Sequence, residues 1–184
     1  NAMLHPNQWQ AVASHSGDVG FDTMFLPTFA ETVTHVNRYG GPAPYIANVQ
    51  AAASLSGPDF HSLMICAMAA SYDPRDPTST NPLGIELPVD LHTIQLDQVA
   101  WENWLRFDPL EMVEHSHVAL KELEVLFIDC GDKDQYHIQY GSRKLVSRLD
   151  SLDVPHVWEE FDGTHSGIDY RLDQSFALLS QRLS

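Results

Sequence analysis

Two polar loops in the last third of the chain hold the residues best suited to chemistry. One loop spans residues 131–136 and contains Asp132 and Asp134, and the other spans residues 162–167 and contains His165. A carboxylate beside an imidazole fixes the tautomer of the ring and stabilises its protonated form, so that the other ring nitrogen acts as a general base. We therefore predict a catalytic acid–histidine pair of Asp134 and His165, with Asp132 as the rival acid.

Each of these loops directly follows a predicted β-strand. Residues 124–130 form a continuous apolar run, which is typical of a strand buried on both faces of a parallel sheet. Residues 155–161 form the next strand, and the short segment 10–16 forms an earlier one. Because ligands of open parallel sheets bind outside the carboxyl ends of the strands, the two loops are expected to lie side by side at one edge. Asp129 is expected to lie within its strand, where it is less well placed than the loop acids to reach the histidine.

Helices connect and follow the last two strands. The helix between them presents one apolar face, made of Ile138, Leu145, Val146 and Leu149. The helix after the last strand is expected to bury a second such face, made of Leu172, Phe176, Leu179 and Leu183. The order strand–helix–strand–helix predicts an α/β fold with about three parallel strands and flanking helices.

The region 21–123 has a different character, helical and irregular, without a strand signal of comparable strength. A helix is expected at Phe29–Val36, another from an Asp59 cap to Met68, and others after the predicted caps Asp97 and Asp108. The proline-rich stretch 72–90 is expected to be extended loop. We interpret 21–123 as a helical, lid-like insertion over the sheet edge; a helical subdomain without a role at the site is the alternative.

The nucleophile that such a pair would activate is missing from the sequence. The order acid then histidine matches the last two members of the α/β-hydrolase order Ser…Asp…His, which needs Gly-x-Ser-x-Gly upstream. Ser14, Ser16 and Ser56 lack the flanking glycines, and Ser166 follows the histidine. Cys66 lies in a helical run and is expected in the core.

The order of these segments along the chain resembles a known family. Residues 4–18 resemble the stretch just after the nucleophile elbow in the esterase family of α/β-hydrolases that includes esterase D-like, feruloyl-esterase-like and S-formylglutathione-hydrolase-like enzymes. Residues 128–136 resemble the acid loop of that family, in which the later Asp is the triad acid, and residues 159–166 resemble its histidine loop. The resemblance therefore implies Asp134 and His165 as catalytic residues and favours Asp134 over Asp132.

The resemblance also implies that this chain is the C-terminal part of a serine carboxylic-ester hydrolase, a partial α/β-hydrolase fold without its nucleophile serine. Residues 1–3 are interpreted as a tag remnant and a start methionine, and residues 4–184 as the C-terminal part of the hydrolase domain. The isolated chain is expected to have little or no activity. The alternative is a non-catalytic binding or interaction module on the same fold.

Charge and composition exclude several partners. A net charge of −15 argues against nucleic-acid and anionic-membrane binding. No metal or cofactor is expected, because the tight pair His115 and His117 would point apart on a helix. The two cysteines are too few for a disulfide framework and favour a reducing, cytoplasmic compartment.

Two kinds of partner are expected. The first is a small-molecule ester, as substrate of the parent enzyme. The second is another copy of the chain, since the strand at 11–16 would lack its serine-bearing neighbour and leave an exposed flank that favours a homodimer or higher oligomer.

Overall fold

A computed structural model describes residues 1–183 of the chain. The strands are β1 Ala11–His15, β2 Val125–Gly131 and β3 Val157–Phe161. The helices are α1 Phe21–Met24, α2 Phe29–Asn37, α3 Pro42–Ala51, α4 Gly57–Tyr72, α5 Gln98–Leu105, α6 Pro109–Lys121, α7 Ile138–Ser151 and α8 Leu172–Arg182. Short 3-10 helices lie at Leu26–Thr28 and Asp169–Arg171. The chain divides into two compact units: a sheet unit of residues 1–24 with residues 108 onward, and a helical unit of residues 25–107.

The sheet unit is built on a three-stranded parallel sheet in the order β1-β2-β3. Every residue of β2 is buried, whereas every residue of β1 is only half-buried. The sheet with its flanking helices confirms the predicted α/β class and the three parallel strands, with bounds within two residues of those expected.

Helices α7 and α8 both contact β2, and the side chains show that they lie on opposite faces. Val12 and Ile128 line a cavity together with Leu145 of α7. Successive side chains of a β-strand point to opposite faces, so His15 lies on the face opposite to that of Val12 and Ile128. His15 reaches Ser175 of α8. Even-numbered residues of β1 and β2 therefore face α7, and odd-numbered residues face α8.

A buried carboxylate anchors the start of α6. Asp108 caps the helix by accepting from Leu110 N at 3.0 Å. Its two oxygens also accept from Gly20 N at 2.9 Å and Phe21 N at 2.7 Å. The same loop approaches α7 so closely that a Cβ on Gly141 would lie 2.0 Å from the Val19 carbonyl oxygen. Asp108 and Gly141 thus fix the path of the segment that leaves β1.

The helical unit has an aromatic core of its own. Trp104 packs edge-on against Phe25 and Phe29, at ring-centroid distances of 5.4 and 5.8 Å. Cys66 is fully buried beside Val36 and Tyr45, as expected for a core residue. The role of this unit as a lid stays a prediction.

Several local expectations need correction. Ser56, not Asp59, caps α4; Asp59 is the third helical residue of a capping box. Helix α3 was not expected, because prolines at 42 and 44 hid its pattern, although proline fits the first turn of a helix.

The largest correction concerns α8, whose apolar residues are not buried. Phe176 is 62% exposed and Leu172 40% exposed, whereas Ser175 is buried. The physical reason is the polar character of the facing sheet, where His15 and Asp129 bind groups from the α8 region and turn its apolar side outward.

Candidate functional site

The acid loop and the histidine loop leave the sheet at the carboxyl ends of β2 and β3. Gly131 and Phe161 are partners in the parallel register, so the two loops begin side by side. Asp132 N donates to Phe161 O at 2.8 Å and Lys133 N to Gly163 O at 2.9 Å. A Cβ on Gly131 would lie 2.4 Å from Gly163 O, so this close approach requires glycine.

The structure brings Asp134 and His165 together at this edge. His165 Nδ1 lies 3.0 Å from Asp134 Oδ2. Since an ionised carboxylate only accepts, Nδ1 carries the proton in this pair and Nε2 is the basic nitrogen. The Asp134 side chain is fully buried, and the His165 side chain is 35% exposed. The pair therefore joins a fully buried carboxylate to a partly exposed imidazole.

Asp134 is held by the backbone of its own loop. Its second oxygen, Oδ1, accepts from Tyr136 N at 2.8 Å. The Tyr136 ring stands edge-on to the imidazole, with 4.9 Å between centroids. These contacts fix the carboxylate on one side and limit the rotation of the imidazole on the other.

Further polar contacts fasten the histidine loop to the acid loop. Gln135 Oε1 accepts from His165 N at 3.0 Å, and Asp132 Oδ1 accepts from Gly163 N at 3.1 Å. Lys133 forms an ion pair with Asp162 at the surface. The rival acid Asp132 thus binds the backbone of the histidine loop rather than the imidazole.

The hydroxyls of Ser16 and Ser166 form hydrogen bonds with groups other than the imidazole of His165. Ser16, with φ +46°, is buried and its hydroxyl donates to Cys130 Sγ at 3.7 Å. Ser166 Oγ accepts from Gln135 Nε2 at 3.4 Å.

The cysteines lack the properties of activated nucleophiles. Burial raises the pKa of the Cys66 thiol to about 11, and it is the main cause that raises the pKa of the Cys130 thiol to about 11. A reactive cysteine needs a lowered thiol pKa, so both thiols are expected to be protonated and unreactive at neutral pH.

A second histidine–carboxylate pair was missed by the sequence reasoning. His15 Nδ1 lies 2.9 Å from Asp129 Oδ1, and His15 Nε2 lies 2.9 Å from Ser175 Oγ. Arg171 donates to the other oxygen of Asp129 and also pairs with Glu159. The signal in the sequence was a charged residue, Asp129, inside an otherwise apolar strand, which requires a buried partner.

Together with Ser175, this second pair contains the three residue types of a serine–histidine–aspartate triad, but a substrate cannot reach it. Ser175 is 1% exposed and sits within α8, and Asp129 is fully buried. A substrate carbonyl has no path to this hydroxyl. The network instead holds α8 and the preceding 3-10 helix against the odd-numbered face of the sheet.

Asp18 is a further acidic group close to the candidate pair. It lines the cavity beside β1, and burial is the main cause that raises the pKa of its carboxyl. The charge of His165 opposes this rise, while Asp134 and Asp108 add to it. Asp18 therefore lies within electrostatic reach of the imidazole, although no sequence pattern singled it out.

Residues 1–183 contain no group of three or more His, Cys, Asp or Glu side chains arranged to hold a metal ion. Within the same range, no helix has both the length and the apolarity that crossing a bilayer requires.

Comparisons with known proteins find similarity to solved structures alone. No protein-family model and no curated protein matches the chain. Four chains of solved structures match. One of them, named a ferulic acid esterase, has 20% sequence identity and a TM-score of 0.34, and the match covers 62% of this chain. This chain spans 39% of that structure's length.

Proposed function

We propose that this chain supplies the acid and the histidine of a serine carboxylic-ester hydrolase. The observation that carries the proposal is the pair Asp134–His165, 3.0 Å apart at the carboxyl ends of neighbouring parallel strands. That edge is where open α/β sheets place their reactive groups. The nucleophilic serine and the oxyanion donors belong, in this proposal, to a part of the hydrolase outside this chain.

In the reaction, Nε2 of His165 takes the proton from the serine hydroxyl as that oxygen attacks the ester carbonyl carbon. The imidazolium then gives the proton to the departing alcohol oxygen, and the acyl group stays on the serine. Water repeats the two steps and releases the acid. Asp134 acts throughout by holding the Nδ1 proton and stabilising the positive ring.

The burial of Asp134 supports this division of roles. Its fully buried carboxylate lies in a region of low dielectric, where it stabilises the adjacent imidazolium more strongly than an exposed one would. The exposed part of His165 is then free to meet substrate.

The test begins with the DNA just upstream of the coding sequence. An in-frame Gly-x-Ser-x-Gly segment there supports the proposal, and the longer product should then hydrolyse p-nitrophenyl acetate. In that product, His165→Gln should lower kcat/KM by about 10⁴-fold, and Asp134→Asn by a similar factor. The matched control His92→Gln, at an exposed histidine of the helical unit, should leave kcat/KM unchanged.

Two results would contradict the proposal. A stop codon and a ribosome-binding site directly upstream would favour the binding or interaction module. His165-dependent turnover by the present chain alone would show that its own residues contain the nucleophile.

A further inference from the structure

The thiol of Cys130, the next-to-last residue of β2, contacts the carboxylate of the candidate pair. Its Sγ lies 3.8 Å from Asp134 Oδ2, the same oxygen that accepts from His165 Nδ1 at 3.0 Å. Cys130 is fully buried and Asp134 is 2% exposed, so this contact is shielded from solvent. Because an ionised carboxylate only accepts, the thiol is the donor in this contact.

Ser16 contacts the same sulfur from the end of β1. Ser16 is buried, and its hydroxyl donates to Cys130 Sγ at 3.7 Å. Its backbone has φ +46°, a left-handed conformation that a residue with a side chain rarely adopts. The bond from Ser16 N to Asp129 O, at 2.9 Å, holds the residue in this conformation. The position of the hydroxyl is therefore set by the sheet.

The thiol proton has two acceptors within reach. Gly131 O lies 3.6 Å from the sulfur, and Asp134 Oδ2 lies 3.8 Å from it. Hydrogen bonds to a charged acceptor are stronger than bonds between neutral groups. A buried carboxylate also needs donors, and Asp134 otherwise accepts from Tyr136 N and His165 Nδ1. These two reasons favour Asp134 as the acceptor of the thiol proton.

The acidity of the Cys130 thiol suits a donor that keeps its proton. Burial is the main cause that raises the pKa of this thiol to about 11, and the hydrogen bond to Asp134 acts in the same direction. The thiol therefore stays protonated over the pH range in which imidazoles ordinarily exchange a proton. It can donate to the carboxylate without adding a second negative charge beside it.

We propose that Ser16 and Cys130 are positioning residues for Asp134. The Ser16 hydroxyl orients the thiol, and the thiol donates to Asp134 Oδ2 beside the proton of His165 Nδ1. This second donor holds the carboxylate facing the imidazole and stabilises its ionised form. For an effect on turnover this inference rests on the proposed function, whereas the hydrogen bonds themselves are measurable in the present chain.

Infrared spectroscopy of the S–H stretch tests the contact in the present chain. A thiol that donates to a carboxylate absorbs at a lower wavenumber than a thiol without an acceptor. Cys66→Ala identifies the Cys130 band, since the chain has only these two cysteines. We expect Asp134→Asn to move the Cys130 band to higher wavenumber, because a neutral amide is the weaker acceptor. Ser16→Ala should move the band in the same direction.

The Cys66 band is the internal control and should stay in place in both variants, because Cys66 lies in the core of the helical unit. A Cys130 band that stays in place when Asp134 is replaced would overturn the proposal. The thiol would then donate to the Gly131 carbonyl.

Paired variants of the longer product test the effect on turnover. Alanine and serine have nearly equal volumes, so Cys130→Ala and Cys130→Ser differ mainly in the donor. Cys130→Ala should lower kcat about tenfold with little change in KM, and Cys130→Ser should recover most of the loss. Cys66→Ala, the same change at a buried position in the helical unit, should leave kcat/KM unchanged. Equal losses in the two Cys130 variants would overturn the proposal.

The two experiments separate this inference from the proposed function. A Cys130 band that responds to Asp134, with a longer product that lacks esterase activity, would support the contacts and contradict the proposed function. A His165-dependent esterase whose Cys130 band ignores Asp134 would overturn the inference and leave the proposed function in place.

Discussion

At the scale of single residues, the candidate site consists of a short chain of polar contacts. Tyr136 N donates to Asp134, Asp134 accepts from His165, and Gln135 holds the backbone of the histidine loop. Each contact joins residues that lie within one loop or in two loops that the parallel register already places together. The ends of β2 and β3 therefore determine how Asp134 and His165 lie relative to each other.

Asp18 carries a prediction at this scale. Its ionised form is disfavoured in the folded protein, because burial raises the pKa of the carboxyl above 3.8. The neutral Asp18 carboxyl stabilises the folded protein at pH values below its unfolded-state pKa. This contribution is lost as pH rises through the folded-state pKa of the carboxyl. Asp18→Asn should therefore raise the melting temperature at pH 7 by roughly 2 °C, with the difference vanishing below about pH 4.

Thermal melts followed by circular dichroism at the two pH values make this measurement. Asp76→Asn, at an exposed loop position, is the control and should change little at either pH. A lower melting temperature for Asp18→Asn at pH 7 would show that the carboxylate is stabilising, contrary to the argument from burial.

At the scale of elements, the caps of α5 and α6 offer a matched pair. Asp97 caps α5 through two amides of that helix, at 3.0 and 3.1 Å, and is exposed. Asp108 caps α6 but also binds Gly20 N and Phe21 N, and it is 2% exposed. Removing the Asp108 carboxylate would leave the buried N–H groups of Gly20 and Phe21 without acceptors.

We expect Asp108→Ala to lower the free energy of unfolding by about 3 kcal/mol, because the cap and two buried amides lose their partner. Asp97→Ala should cost about 1 kcal/mol, the ordinary value for a cap. Urea denaturation of both variants makes the comparison. Equal costs would mean that the bonds from Asp108 to Gly20 and Phe21 contribute no net stability.

Local patterns predicted some elements well and others poorly. Strand β2 and helix α7 were predicted because their apolar residues follow the period of each structure, and Ile138, Leu145 and Leu149 are buried as expected. Helix α8 has an equally regular apolar face, and that face is exposed. Periodicity shows that a helix has an apolar side, but the neighbour across the interface decides which side is buried.

At the scale of the whole molecule, charge governs how copies of the chain meet. A net charge of −15 opposes association over distances up to the screening length, which falls from about 30 Å at 0.01 M salt to about 10 Å at 0.1 M. Raising the salt concentration over this range should therefore weaken the repulsion between copies and lower the second virial coefficient of the protein.

Static light scattering across a salt series measures this coefficient. A coefficient that rises with salt would mean that attractive charge pairs between copies outweigh the repulsion from the net charge.

The sequence by itself determined the order of strands and helices in the sheet unit and the two loops that carry Asp134 and His165. These follow from hydrophobic period and from the rule that parallel strands end at one edge. The residues alone left Asp132 as a rival acid, and the family resemblance favoured Asp134. The tertiary structure shows that Asp134 reaches the imidazole, whereas Asp132 binds the Gly163 amide, and it alone showed that Asp129 is used by His15 and Arg171. Neighbouring carboxylates are chemically equivalent in a sequence. Their distances to a particular nitrogen depend on loop conformations that form only when the strands have paired.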